Sequence, residues 1–144
     1  MSTDPSCIFC RIVAGESPSS VVFRDDSCHA FLDVGPLAEG HLLVVPLNHY
    51  AHLSEMPAGE AAALAAHLPR LGRALRAATG AAGYNLLCNE GRVAGQEVMH
   101  VHFHLIPRKA GDGLGYRWNA GKYAPGRADE VLASMKSALV QLGE

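Results

Sequence analysis

His100, His102 and His104 alternate with Val101 and Phe103, and Leu105-Ile106-Pro107 follows. Alternation at a period of two is the pattern of a half-buried β-strand. It predicts three imidazoles on one face, with Val101, Phe103 and Leu105 turned the other way into a core. Next neighbours on such a face stand roughly 6.5–7 Å apart. One histidine alone is most often a structural residue. Three in five positions concentrate groups that titrate near neutral pH, bind metals and act as nucleophiles. Cys7-x-x-Cys10 is a second chemical signal. Two thiolates on one tight turn can reach a single ion, and a tetrahedral structural site then needs two further ligands. The plainer alternative is a pair of buried thiols under the first helix. Another reading gives all three triad histidines to one catalytic zinc that activates water. A straight strand disfavours it, because positions i and i+4 are about 13 Å apart.

The segment leading into the triad reads NEGRVAGQEVM from Asn89 to Met99. Gly91 and Gly95 bracket a short loop. Glycines let backbone N–H groups approach an anion closely. The side chains of Asn89 and Gln96 add amide donors and acceptors. Together with the triad, this loop reads as a phosphate-binding element formed by Asn89, Gly95 and Gln96.

These features resemble the histidine-triad (HIT) family of nucleotide hydrolases and transferases, in its zinc-containing bacterial-type branch. The resemblance rests on Gly95-Gln96, on His100-x-His102-x-His104 and on the apolar pair that follows. It extends to Cys7-Ile8-Phe9-Cys10, Phe31-Leu32-Asp33-Val34, Pro36, Gly40-His41, the run Leu42 to Pro46, and His49. It covers roughly residues 5–120. It implies that His49 and His100 join Cys7 and Cys10 as ligands of a structural zinc. It makes His102 the nucleophile on the α-phosphorus of a nucleotide, giving a nucleotidyl-histidine that water hydrolyses. His104 then contacts the bridging atom or leaving group. Asp33 accepts from ribose hydroxyls, and Ile8, Phe9, Ile12 and Phe31 form an apolar slot for the base or else plain core. One residue departs from the family pattern. Glu97 occupies a position that is often Ser or Thr, where a carboxylate repels phosphate. It turns to solvent, or pairs with Arg92 or Arg108, or points at the phosphate and alters activity or substrate preference.

Three functions follow from these residues. The first is an enzyme cleaving nucleoside monophosphoryl conjugates: phosphoramidates, dinucleoside polyphosphates or acyl nucleotides. The second is a non-catalytic nucleotide-binding regulatory module. The third is a zinc-dependent hydrolase. Formal net charge is −2 over 144 residues, so nothing suggests a general nucleic-acid or membrane surface. No apolar run approaches the ~18–20 residues that span a bilayer. MSTDPSC lacks the basic and apolar regions of a signal peptide. The expectation is a cytoplasmic protein that takes a small nucleotide substrate and binds neither nucleic acid nor membrane. In a reducing compartment, four cysteines are thiols or metal ligands.

The chain is long enough for one domain with a real core. Cys7 to Val13 predicts one or two helical turns, and Val21–Arg24 with His29–Asp33 predicts a hairpin across Asp25-Asp26-Ser27. Leu42 to Pro46 reads as a buried strand. Pro57 suits a helix start. Ala61, Leu64, Leu68, Leu71, Leu75 and Ala78 then repeat at helical steps, with Pro69 as a kink and Gly80 and Gly83 as its end. Tyr84 to Cys88 is a further strand. A C-terminal helix covers about 127–142. Arg108-Lys109 and the Gly-rich stretch Gly111–Tyr123, with Trp118, are expected to shape the leaving-group side. Strands on short turns with one long crossing helix suggest an antiparallel α+β domain. The resemblance implies a HIT-like fold with a five-stranded sheet, in a homodimer whose sheet is continuous.

Overall fold

The structure, a computed structural model, describes residues 1–115 and 120–143. Trp118 lies outside the described residues. The chain divides into two units, Met1–Leu114 and Gly115–Glu144.

In the first unit, helix α1 (Ile8–Val13) starts at Cys7, whose Sγ accepts the Cys10 N–H at 3.5 Å. The thiol spacing and the helix start are therefore one local event. Strands β1 (Val21–Arg24) and β2 (His29–Leu32) form the expected hairpin. Asp25 Oδ1 closes its turn by accepting N–H groups of Ser27 and Cys28 at 2.8 and 2.9 Å, the usual asparagine/aspartate turn chemistry. Strand β3 (Leu42–Val45) is buried along its whole length, as its continuous apolar run requires.

The crossing segment is two helices rather than one kinked helix. Helix α2 spans Ala58–Ala65 and α3 spans Leu68–Thr79. Pro69 explains the break. A proline has no N–H and its ring collides with the carbonyl four residues earlier, here Ala65, the last residue of α2. Pro69 is tolerated in the first turn of the new helix. Gly80 ends α3 in the left-handed region at φ +68°, where only glycine is unstrained. Strand β4 is Gly83–Leu87 and β5 is Phe103–Arg108. The sheet order is β1-β2-β3-β5-β4, and every neighbouring pair is antiparallel. The fold is α+β, as expected.

The period of two divides the core. Leu42, Val44, Val101 and Leu105 pack with Leu64, Leu71 and Leu75 of α2 and α3. Leu43, Val45 and Phe31 face the other way and pack with Phe9, Cys10 and Val13 of α1. α3 lies so near the sheet that a Cβ on Gly72 would stand 2.3 Å from Tyr84 Oη and 2.5 Å from its Cζ. Gly72→Ala adds helix propensity worth about 1 kcal/mol but forces this ring aside at about 1–3 kcal/mol. The expected result is a net loss of about 1 kcal/mol in denaturant unfolding, whereas the same substitution made in a Tyr84→Ala background should be a gain of about 1 kcal/mol relative to that background.

The triad departs from expectation in one respect. β5 begins at Phe103, which pairs with Val44. His100 and His102 precede it in unpaired backbone. The opposing chain has reached Pro46 there, which has no amide hydrogen for a ladder. The Pro46 carbonyl instead accepts from the His100 ring at 3.0 Å.

In the second unit, α4 covers Arg127–Leu142, as predicted, and none of its residues is buried. Among the described residues, no helix is long and apolar enough to cross a membrane.

Candidate active site and metal centre

Each triad histidine has a separate partner, and these partners fix which nitrogen carries a proton. A ring nitrogen facing a carbonyl must donate. His100 Nε2 donates to Pro46 O, so its Nδ1 keeps a lone pair. That nitrogen lies 3.5 Å from the Sγ atoms of both Cys7 and Cys10 and 3.3 Å from His49 Nδ1. Cys10 Sγ lies 3.3 Å from His49 Nδ1. One ligand atom from each of these four residues lies within 4.8 Å of the others. Tetrahedral zinc with Zn–S of about 2.3 Å and Zn–N of about 2.0–2.1 Å needs ligand separations of this size. Burial holds the His100 ring neutral, its pKa pushed down to about 4, the form that ligates. Two thiols and two imidazoles leave no open position, which is the pattern of a structural centre.

His102 Nδ1 donates to the His100 carbonyl at 2.7 Å. Its Nε2 therefore carries the lone pair, and the residue lines a cleft of about 340 Å³. The ring is 6% exposed and packs edge-on against Phe9 at 5.1 Å. This holds it in one orientation.

His104 also lines the cleft. Its Nδ1 is 2.9 Å from His41 Nε2. The Leu37 amide donates to His41 Nδ1 at 3.1 Å, so the His41 proton sits on Nε2 and is given to His104 Nδ1. His104 must then carry its own proton on Nε2. Burial, with His102 and His41 beside it, lowers the His104 pKa to about 4. The ring is a neutral donor at pH 7. Asp33 Oδ2 stands 3.7 Å from His41 Nε2. Asp33, His41 and His104 also have the spacing of a metal site, but the Leu37 amide leaves a proton rather than a lone pair on His41 Nε2. His41 and His104 are hydrogen-bonded to each other, and Asp33 stands beside the pair at ion-pair distance. The triad histidines thus serve three different neighbours and do not converge on one ion.

His41 had no assigned role in the sequence, yet the signal was present. It shares a strand face with Leu43, and Leu43 pairs with His104. His41 is therefore the diagonal neighbour of His104, within reach for a ring.

Ile8, Phe9, Ile12 and Phe31 line the cleft together, with Asp33, Asn89 and Gly95. Asp33 Oδ1 accepts the Gly35 amide at 2.9 Å, so this residue also shapes its turn. Gly95 is left-handed at φ +97°, and a Cβ there would meet Asn89 Nδ2 at 3.5 Å.

The loop corrects two expectations. Gln96 is not part of the cleft lining. It is 3% exposed, its Oε1 accepts the Gly91 amide at 2.8 Å, and its Nε2 donates to Ala51 O and Val98 O at 2.7 and 3.0 Å. Its hydrogen-bonding capacity is used in bracing the loop. The Gly95 and Gln96 backbone amides are also taken, by Arg92 O and Gly91 O. Among the described residues, the Asn89 side chain and the amides of Glu97 and Val98 remain as donors. Glu97 lines the cleft and is exposed. Arg108 is engaged by Asp112 and Asn85 instead, and among the described residues no cation lies within 4 Å of Glu97.

The HIT domain family profile matches residues 14–111. The chain belongs to the HIT family. An uncharacterized HIT-like protein of Methanocaldococcus jannaschii is 45% identical over 130 residues, 90% of this chain and 98% of that protein. An adenylylsulfatase of Arabidopsis thaliana is 44% identical over 75% of this chain and 55% of its own length. An adenosine 5′-monophosphoramidase of Candida albicans is 40% identical over 83% of this chain and 82% of its own. Among solved structures, a Streptococcus mutans protein superimposes with TM-score 0.92 at 38% identity, covering 96% of this chain and 88% of that one. A zinc-bound histidine triad family protein of Mycobacterium smegmatis does so with TM-score 0.73 at 36% identity, covering 92% and 97%.

Proposed function

We propose that this protein hydrolyses nucleoside 5′-monophosphoryl conjugates, phosphoramidates foremost, at the α-phosphorus through a nucleotidyl-His102 intermediate. The observation that carries this reading is the His102 tautomer: with Nδ1–H held by the His100 carbonyl, the Nε2 lone pair belongs to a residue that lines the cleft. A non-catalytic binding module has no need of a nucleophile fixed in this way.

The base fills the slot of Ile8, Phe9, Ile12 and Phe31, and Asp33 accepts from the ribose hydroxyls. His102 Nε2 attacks phosphorus and the P–N bond to the leaving amine breaks. The amine takes a proton from water at the cleft mouth. The phosphorylated imidazole is cationic and a good leaving group. Water then attacks phosphorus, the P–Nε2 bond breaks, the lone pair returns to His102, and a proton passes to solvent. The products are nucleoside monophosphate and free amine. Negative charge on the phosphoryl oxygens is met by His104 Nε2–H, the Asn89 side chain and the Glu97 and Val98 amides, donors set in advance for a developing charge. His41 acts through His104, keeping that proton on Nε2.

Cys7, Cys10, His49 and His100 would hold a structural zinc. When bound, it ties the start of α1 to the segment after β3 and to the first triad histidine, and it takes no part in the chemical steps. The relative from Mycobacterium smegmatis, named as zinc-bound, supports this. Among the described residues, the outer edges of β1 and β4 have no partner strand in one chain, so an edge is available for the homodimer with a continuous sheet. The relatives named for adenylyl sulfate and adenosine phosphoramidate support an adenylyl-conjugate substrate.

The test is hydrolysis of adenosine 5′-phosphoramidate in water enriched in heavy oxygen. One heavy atom should enter AMP, whereas release of adenosine would mean that the P–N bond is not the one cleaved. Failure to cleave any nucleotide conjugate, with nucleotide still bound, would favour the binding module instead.

A further inference from the structure

Two carboxylates, Asp33 and Glu97, belong to the cleft wall, while no Lys or Arg is found among its described lining residues. They come from different parts of the sheet. Asp33 follows β2, beside Phe31 and the apolar slot. Glu97 lies in the β4–β5 connection with Asn89 and Gly95, just before the triad. Glu97 and His102 line the same cleft, so a leaving group that departs from a phosphorus at His102 on the side away from the apolar slot would meet that connection. Asp33 is engaged by the Gly35 amide and lies near His41. Glu97 has no cation within ion-pair distance among the described residues, so its charge is unbalanced from that side.

We propose that Glu97 is a specificity-determining residue that selects a cationic leaving group. Resting on the function proposed above, this names the preferred substrates as nucleoside 5′-phosphoramidates of amines that carry a second, protonated amine, such as short diamines. Leaving groups with added negative charge, such as sulfate, polyphosphate or a carboxylate-bearing amine, are disfavoured. A unit charge at about 5–8 Å from an exposed carboxylate is attracted or repelled by a factor of roughly 3–10 once solvent screening is counted.

The experiment uses three AMP phosphoramidates of equal chain length: that of 1,3-diaminopropane, that of its mono-N-acetyl derivative, and that of β-alanine. The full-length protein should show kcat/KM falling in that order, with each step roughly 3–10-fold. Glu97→Gln should compress the whole series to about twofold, and Glu97→Lys should invert it. Raising ionic strength to about 1 M should compress the wild-type series in the same direction, because the screening length then falls from about 10 Å to about 3 Å, shorter than the charge separation. A wild-type series flat from the outset, or one that survives Glu97→Gln unchanged, overturns the proposal while leaving the hydrolase reading intact. If the wild type cleaves none of the three, the hydrolase reading fails and this inference fails with it.

Discussion

His102→Ala abolishes turnover of adenosine 5′-phosphoramidate while leaving the fold and nucleotide affinity close to those of the wild type. The expected fall in kcat is roughly three to six orders of magnitude, the range seen when a covalent nucleophile is removed. The His102 ring is held by the His100 carbonyl and packs on Phe9, but it ligates nothing in the four-residue metal centre. Its loss should therefore cost little stability beyond its own packing. Binding should persist because the apolar slot and Asp33 are untouched. Stopped assays of AMP release, paired with calorimetric binding of AMP, separate the two effects. An alanine variant that turns over within tenfold of wild type would remove His102 from the nucleophile's role.

The second large effect concerns metal. Protein purified without chelator should carry one equivalent of zinc per chain, measured by elemental analysis. Cys10→Ser should lose it. Cys7 and Cys10 lie at the start of α1, far in sequence from His49 and His100, so the ion would close loops of about 40 and 90 residues. Its free energy enters folding directly. Removal should lower the melting temperature by about 10 °C or more, before any change in the chemical step is seen with the remaining folded protein. A metal-free protein with the same melting temperature would leave Cys7 and Cys10 as two thiols packed under α1.

Most of the elements were legible because local chemistry and tertiary packing agree in them. The hairpin at Asp25, the continuous apolar run of β3, the Gly80 stop and the C-terminal helix each obey a local rule. The residues of the apolar slot and of the Cys/His cluster also come together as the family resemblance implied. The differences arise where a distant partner decides. The histidine strand starts at Phe103 because Pro46, on another strand, ends the ladder. Pro69 breaks the crossing segment instead of kinking it. Ala66 and His67 can leave the helix there, and the two shorter helices still cover one core face. Gln96 looked like a phosphate ligand, but Ala51 O, 45 residues away, claims its amide. Arg108, a candidate partner for Glu97, is held by Asp112 four residues on. Competition among such partners is settled by burial and geometry in three dimensions, which composition and spacing do not encode. His41 is the intermediate case. Its face was readable from the period of β3, but its bond to His104 needed the β3–β5 register.

The covalent bond between His102 and the α-phosphorus can be observed directly. Wild-type protein mixed with excess adenosine phosphoramidate and quenched within milliseconds, under mildly alkaline conditions that preserve phosphohistidine, can be weighed intact by mass spectrometry. A species heavier by one adenylyl group is expected, mapped by fragmentation to His102 and missing in His102→Ala. Rapid AMP formation with no adduct at any quench time, or an adduct on another residue, would contradict it.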